Sequence, residues 1–194
     1  MAGSDDYVRF DQYEDVLVSV ELVSLLAPLV REEPQQWKWM IVAAHSALQG
    51  AMVCAFADTT GTSVLQNNSA KEMLEWLNAD PATRGPYPEE RLASFGRLLD
   101  RCIAGSATFE PLVLTPEQHA NIKRLHDEYR NSFAHFIPQG WSIEKAMLPA
   151  MIVAALDVVE LLIHRHYVIG HMDEEQQQRL NDAMTTASIY LQAL

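Results

Sequence analysis

The sequence predicts an all-α fold, a single-domain helical bundle of six to seven helices spanning residues 1–194. Three observations carry this reading. Apolar side chains recur at three- and four-residue steps through nearly every segment. The breaks between those segments are short and hold proline, glycine or Asp/Thr/Ser clusters, as at residues 58–63 and 84–88. Only residues 109–114 read as extended, and no second run offers them a partner strand, so they serve as a connector. A chain of 194 residues suits one domain on a prior of roughly 100–200 residues each.

The elements follow in order. Tyr13, Val16, Leu17, Val20 and Val23 line one side of a first helix, with Asp11, Glu14 and Glu21 on the other. Residues 28–34, which include Glu32 and Glu33, close it. Pro34 then stands where a helix can begin, and residues 36–57 are the most apolar run in the chain. A helix apolar on most sides belongs in the middle of a bundle. Ser69 is placed to cap a short helix carrying Met73, Leu74 and Leu77. Pro88 starts another, with Leu92, Phe95, Leu99 and Cys102 inward, Arg91, Arg97 and Arg101 mostly outward, and Gly105 at its end.

Thr115-Pro116-Glu117-Gln118 is a capping-box start. The helix it opens carries Ile122, Leu125, Tyr129, Phe133 and Phe136 as a buried stripe until Pro138-Gln139-Gly140. Ser142 caps the next helix, kinked around Pro149 and running to about Tyr167. Asp173-Glu174-Glu175-Gln176 caps a last helix with Leu180, Met184 and Leu191 inward.

Composition narrows the functional classes. Apolar residues make up 48% and charged residues 21%, a globular balance. Cys54 and Cys102 both fall in apolar helical stretches, which argues against a disulfide framework. An acidic start, Met1 to Asp6, is unlike a secretory signal and predicts a cytoplasmic protein. Residues 40–57 and 146–163 are long and apolar, but they hold His45, Gln49, Asp157 and Glu160. Ionisable groups are costly at bilayer depth, so buried core helices are expected and no membrane partner. A net charge of −12 argues against broad capture of nucleic acid, and no DNA partner is expected. No Gly-rich phosphate loop, nucleophile elbow, zinc cysteine pair or His-Glu-x-x-His run occurs, so no cofactor or metal is expected.

The chemistry concentrates in residues 126–136. Asn131 and His135 are four apart and share a helix face. Arg130 and His135 are five apart, about 140° around an ideal helix. They converge on a ligand if the helix frays before Pro138 or if two such helices meet across a dimer axis. Alternatively, Arg130 and His135 pair structurally with Asp127, Glu128 or a backbone carbonyl, and Asn131 caps the helix end.

This segment, Arg130-Asn131-Ser132-Phe133-Ala134-His135 with Pro138, Gly140, Trp141 and Ser142 beyond it, resembles the HEPN superfamily of small α-helical bundle proteins. The likeness covers about 20 residues. It implies a metal-independent endoribonuclease of the toxin or stress-response type, with catalytic Arg130, Asn131 and His135 at a homodimer interface. His135 would take the proton of a ribose 2′-OH, Arg130 would hold charge on the phosphorus oxygens, and Asn131 would orient either. Histidine near pKa 6.5 suits proton transfer at neutral pH, and arginine grips phosphate in a bidentate fork. RNA or a nucleotide and an antitoxin-type protein are the implied partners. Some members are non-catalytic nucleotide-binding or interaction modules instead. Others have a modifiable tyrosine two positions after the histidine, where this chain has Ile137.

Other constellations are weaker. Arg165 to His171 meets the loose spacing without the asparagine and reads as chance. Asp157, Glu160 and His164 share a helix face, but no second helix supplies a matching metal set, and a solvated stripe is expected. His45 and Gln49, one turn apart, either line a polar pocket near the site or reflect a satisfied core histidine. His119 and His126 read as surface or partly buried helix residues. The local charge over residues 116–145 is balanced, so an RNA groove would have to borrow Arg91, Arg97 and Arg101.

Overall fold

Burial of the most apolar segment organises the bundle. In the computed structural model, which describes residues 7–57, 60–106, 109–135, 138 and 140–194, α2 (Trp37–Phe56) runs through the centre. It packs against α1 (Gln12–Leu26), α4 (Phe95–Ala104) and α7 (Leu148–Ile163), while α9 (Glu174–Gln192) closes over α1 and α7. The remaining helices are α3 (Asn67–Asn78), α5 (Pro116–Arg124), and the short α6 (Asn131–Ala134) and α8 (His166–Ile169). Among the described residues there is no strand, only two isolated bridges, so the fold is an all-α bundle around one contiguous core. The N-terminal six residues, Asp58 and Thr59 of the expected loop, and Phe136, Ile137 and Gln139 lie outside the described residues.

Small residues let α1 and α2 approach closely. Ala43, Ala44, Ala47 and Ala51 are buried, and at Gly50 a Cβ would stand 2.8 Å from Val16 Cγ2 and 3.1 Å from Asp15 Oδ2. Arg179 ties α9 to α1, its Nε and Nη2 each donating at 2.8 Å to the Glu21 carboxylate, with Glu14 at 3.3 Å. Both expected caps at residues 115 and 173 form as full capping boxes. Cys54 and Cys102 are free and buried, and burial pushes both thiols up to about 12. The segments 34–56 and 145–163 are each long and apolar enough to cross a membrane, yet 67% and 56% of their most apolar windows are buried inside the bundle.

Four expectations are corrected. Helix α4 starts at Phe95 under a Ser94 cap, not at Pro88. Residues 91–93 are instead extended along 64–66, with Gln66 N–H donating to Arg91 O and Ala93 N–H to Val64 O, and Leu92 is 39% exposed. Ser69 does not cap α3, which begins two residues earlier. Its buried hydroxyl donates to Glu89 O at 2.7 Å and accepts from Arg91 N–H at 3.1 Å, pinning that same strap. Pro149 produces no kink, because α7 begins at Leu148 and proline in a first turn forfeits no helical bond. Beyond Ile163 the chain turns into the separate α8 rather than continuing to Tyr167.

The Gly50 contact gives a stability test. Alanine has a helix propensity about 1 kcal/mol better than glycine, but its methyl would press on fully buried Val16, and overpacking costs about 1–3 kcal/mol. Gly50→Ala is expected to lower the urea midpoint. A midpoint at or above wild type would mean that the α1–α2 hairpin opens without cost.

Candidate functional site

The helix opened by Thr115 changes character where the chemistry lies. Residues Leu125–Arg130 form a π-helical turn, in which the Asn131 N–H reaches back to His126 O, before α6 resumes and ends with His135 as its cap residue. Such turns interrupt α-helices rarely and cluster at functional sites. Leu125 and Tyr129 stay buried, as the stripe predicts, but His126 also turns toward α2.

There it meets His45. The two rings are joined by a 2.8 Å hydrogen bond between His45 Nε2 and His126 Nδ1, and Phe95 stacks on both, at centroid distances of 4.6 and 4.4 Å. His45 is 3% exposed, so the bond to His126 satisfies a group that would otherwise be stranded in the core. Burial, then the nearby charges of His126 and Arg130, push His45 down to about 3. Burial also lowers His126, against the raising influence of Asp127 and with that of Arg130. Both imidazoles are neutral at pH 7, and one donates to the other.

Beside this pair opens a cavity of about 240 Å³ between α1, α2 and the π turn. Its polar lining is Gln12 and Asp15 from α1, His45, Ser46 and Gln49 from α2, and Arg130. Desolvation raises the Asp15 carboxyl. Arg130 Nη1 donates to Asn131 Oδ1 at 3.1 Å, and the guanidinium makes no ion pair among the described residues. An arginine oriented by a neutral carboxamide keeps its full charge available to an anion.

The structure therefore brings Arg130 and Asn131 together and adds His45, Gln49 and Asp15. It does not bring in His135, which is exposed at the helix end and is not among the cavity's lining residues. The alternative pairing of Arg130 with Asp127 or Glu128 does not form. Trp141 packs over Tyr129 and Phe133 at 5.7 and 4.8 Å, holding the following loop against the motif. The sequence reading missed His126 and Asp15. Helical spacing flagged the pocket side of His45 and Gln49, but nothing local marks a partner 81 residues away.

The other constellations separate from this site. Arg165 stacks over Phe109 and His171 over Tyr13, so the second Arg-to-His match serves packing. Asp157 accepts from Gln118 Nε2 at 3.3 Å, and among the described residues no group of three His, Cys, Asp or Glu could hold a metal. Arg91 pairs with Glu89, while Arg97 and Arg101 line a different cavity, so they do not extend the Arg130 site. A larger cavity of about 620 Å³ holds neither Arg130 nor the histidine pair. Comparison of the chain with protein-family models, curated proteins and solved structures finds no match.

The histidine pair makes stability depend on pH. Each imidazole protonates near 6.5 in the unfolded chain and lower in the folded one. Their contribution is full above pH 6.5 and is lost as pH falls from there toward 3, His45 accounting for at most about 1.4 kcal/mol per pH unit. His45→Gln keeps a hydrogen-bonding group but removes that titration. Urea unfolding between pH 7 and 5 should show a steeper loss in wild type than in this variant. Parallel losses would contradict a neutral, buried His45.

Proposed function

We propose that the chain is a metal-independent endoribonuclease of the HEPN type, working as a homodimer. The observation that carries this is Arg130, whose half-buried guanidinium is held by Asn131, makes no ion pair among the described residues and lines a polar cavity of about 240 Å³. The wording of residues 130–142 adds the resemblance.

In this reading His135 takes the proton from a ribose 2′-OH as the 2′-oxygen attacks its own phosphorus. The P–O5′ bond breaks, leaving a 2′,3′-cyclic phosphate, and the departing 5′-oxygen is protonated by the histidine of the second protomer. Arg130 holds the negative charge that builds on the non-bridging oxygens. Its orientation is fixed in advance by Asn131, so little is lost in ordering it during reaction.

The dimer supplies what one protomer separates. Val18, Leu22 and Leu25 on α1, with Leu29 just beyond, follow Asp15 at coiled-coil spacing, and Trp39 and Val42 precede Ser46 and Gln49 on α2 in the same way. Leu22, Leu25, Leu29 and Trp39 are all exposed, at 41–67%. An exposed apolar stripe continuous with the cavity is a surface suited to a second copy. A cytoplasmic toxin or stress nuclease, restrained by an antitoxin-type protein, fits this reading.

A second reading, a non-catalytic nucleotide-binding module, is favoured by one observation: His135 does not line the Arg130 cavity. The two part on a single assay. Purified protein is incubated with total RNA in EDTA, beside His135→Ala and Arg130→Ala. The nuclease predicts cyclic-phosphate products and a loss of about 10² or more in each variant, with unchanged circular dichroism. No cleavage by wild type at high concentration would remove the nuclease and leave the binding module.

A further inference from the structure

A second arginine-lined cavity lies where α3 and α4 begin. It measures about 320 Å³, and Gln66, Asn67, Asn68, Ser94, Arg97 and Arg101 supply its polar lining. Among the described residues no Asp or Glu lines it. Arg101 is fixed in place: Nη1 donates to Ser63 O at 2.7 Å, and Nη2 to Leu65 O at 3.0 Å and Asn67 Oδ1 at 3.1 Å. All three acceptors are neutral. The guanidinium is thus oriented while its charge remains uncompensated. Arg97, one helical turn earlier on α4, is exposed, and its side chain makes no hydrogen bond or ion pair among the described residues.

The chain carries 26 acidic against 14 basic residues, and here two arginines share one cavity whose other lining residues are uncharged. Nearby Arg91, by contrast, makes a 2.6 Å pair with Glu89. The two arginines of the cavity have been spared that pairing. Their neighbours are carboxamides, which can donate to an anion and do not neutralise the cations.

We propose that this cavity binds a phosphate group, with Arg101 as a fixed cation and Arg97 closing on the ligand. Guanidinium groups match phosphate oxygens in charge and in geometry. The carboxamides of Asn67 and Asn68 complete the donor set. The volume leaves room for more than the phosphate itself, so a phosphate ester fits. A net charge of −12 repels extended polyanions, so a small phosphate monoester is favoured over a polynucleotide. The proposal is independent of the nuclease reading, which concerns Arg130.

Calorimetric titration of the whole chain tests it, with inorganic phosphate, adenosine monophosphate and a ten-nucleotide RNA as probes at fixed ionic strength. Wild type is expected to bind phosphate and the mononucleotide saturably. Arg97→Ala should bind them about tenfold or more weakly while keeping the wild-type melting temperature in the absence of phosphate. Arg130→Ala should bind as wild type does. RNA binding that is tighter than mononucleotide binding and depends on Arg97 would keep the site and assign it to backbone phosphates. No saturable binding by wild type overturns the proposal. So does unchanged binding in Arg97→Ala, and a loss confined to Arg130→Ala would instead place the phosphate in the other cavity.

Discussion

The hydrogen bond between His45 and His126 is the contact on which the arrangement of the site depends. A polar ring in the middle of the most apolar helix must be partnered, because an unsatisfied buried donor or acceptor costs about 1–3 kcal/mol. The partner lies 81 residues away in sequence, and it reaches inward from a stretch that has widened into a π turn. That same turn leaves Arg130 at the cavity rather than beside Asp127 and Glu128. Phe95 of α4 completes the cluster by stacking on both rings. The pair and its stacked phenylalanine thus hold the π turn and α4 against α2.

Charge follows from that packing. Two neutral histidines leave Arg130 as the cation of its cavity, which Asp15 also lines. The protein as a whole is strongly acidic, and two of its small cavities are each lined by arginine that makes no ion pair among the described residues. Such a distribution suits recognition of one phosphate at a time. It offers little to steer a long polyanion from a distance, and a nuclease of this kind would depend on close contacts more than on long-range attraction.

Much of the fold was legible because its signals are local. Thr115 with Gln118 and Asp173 with Gln176 cap where their spacing says they should, and the near-uniform apolarity of residues 36–57 marks the central helix. Failures occurred where distant groups outbid local preference. Pro88 looks like a helix start, but residues 91–93 gain backbone partners from 64–66 and stay extended. Ser69 looks like a cap, but it is drawn inward to bond that same strap. Pro149 reads as a kink only if the helix has already begun. At the site, Arg130, Asn131 and His135 were legible as a pattern, and His45 with Gln49 as a pocket wall. The pairing with His126 was not: helical spacing puts that residue on the face of Ile122 and Tyr129, but nothing local names a partner 81 residues away on α2.

His45 and His126 form a neutral, directly hydrogen-bonded pair that anchors the π turn to α2. Nitrogen-15 spectra of the histidine rings, recorded from pH 8 to 5 in the folded protein, test it most directly. The account predicts single, fixed tautomers for both rings, a protected shared proton, and no titration of His45 anywhere in that range. A His45 ring that titrates near 6.5, or that averages between tautomers, would contradict it and free the Arg130 segment from the core.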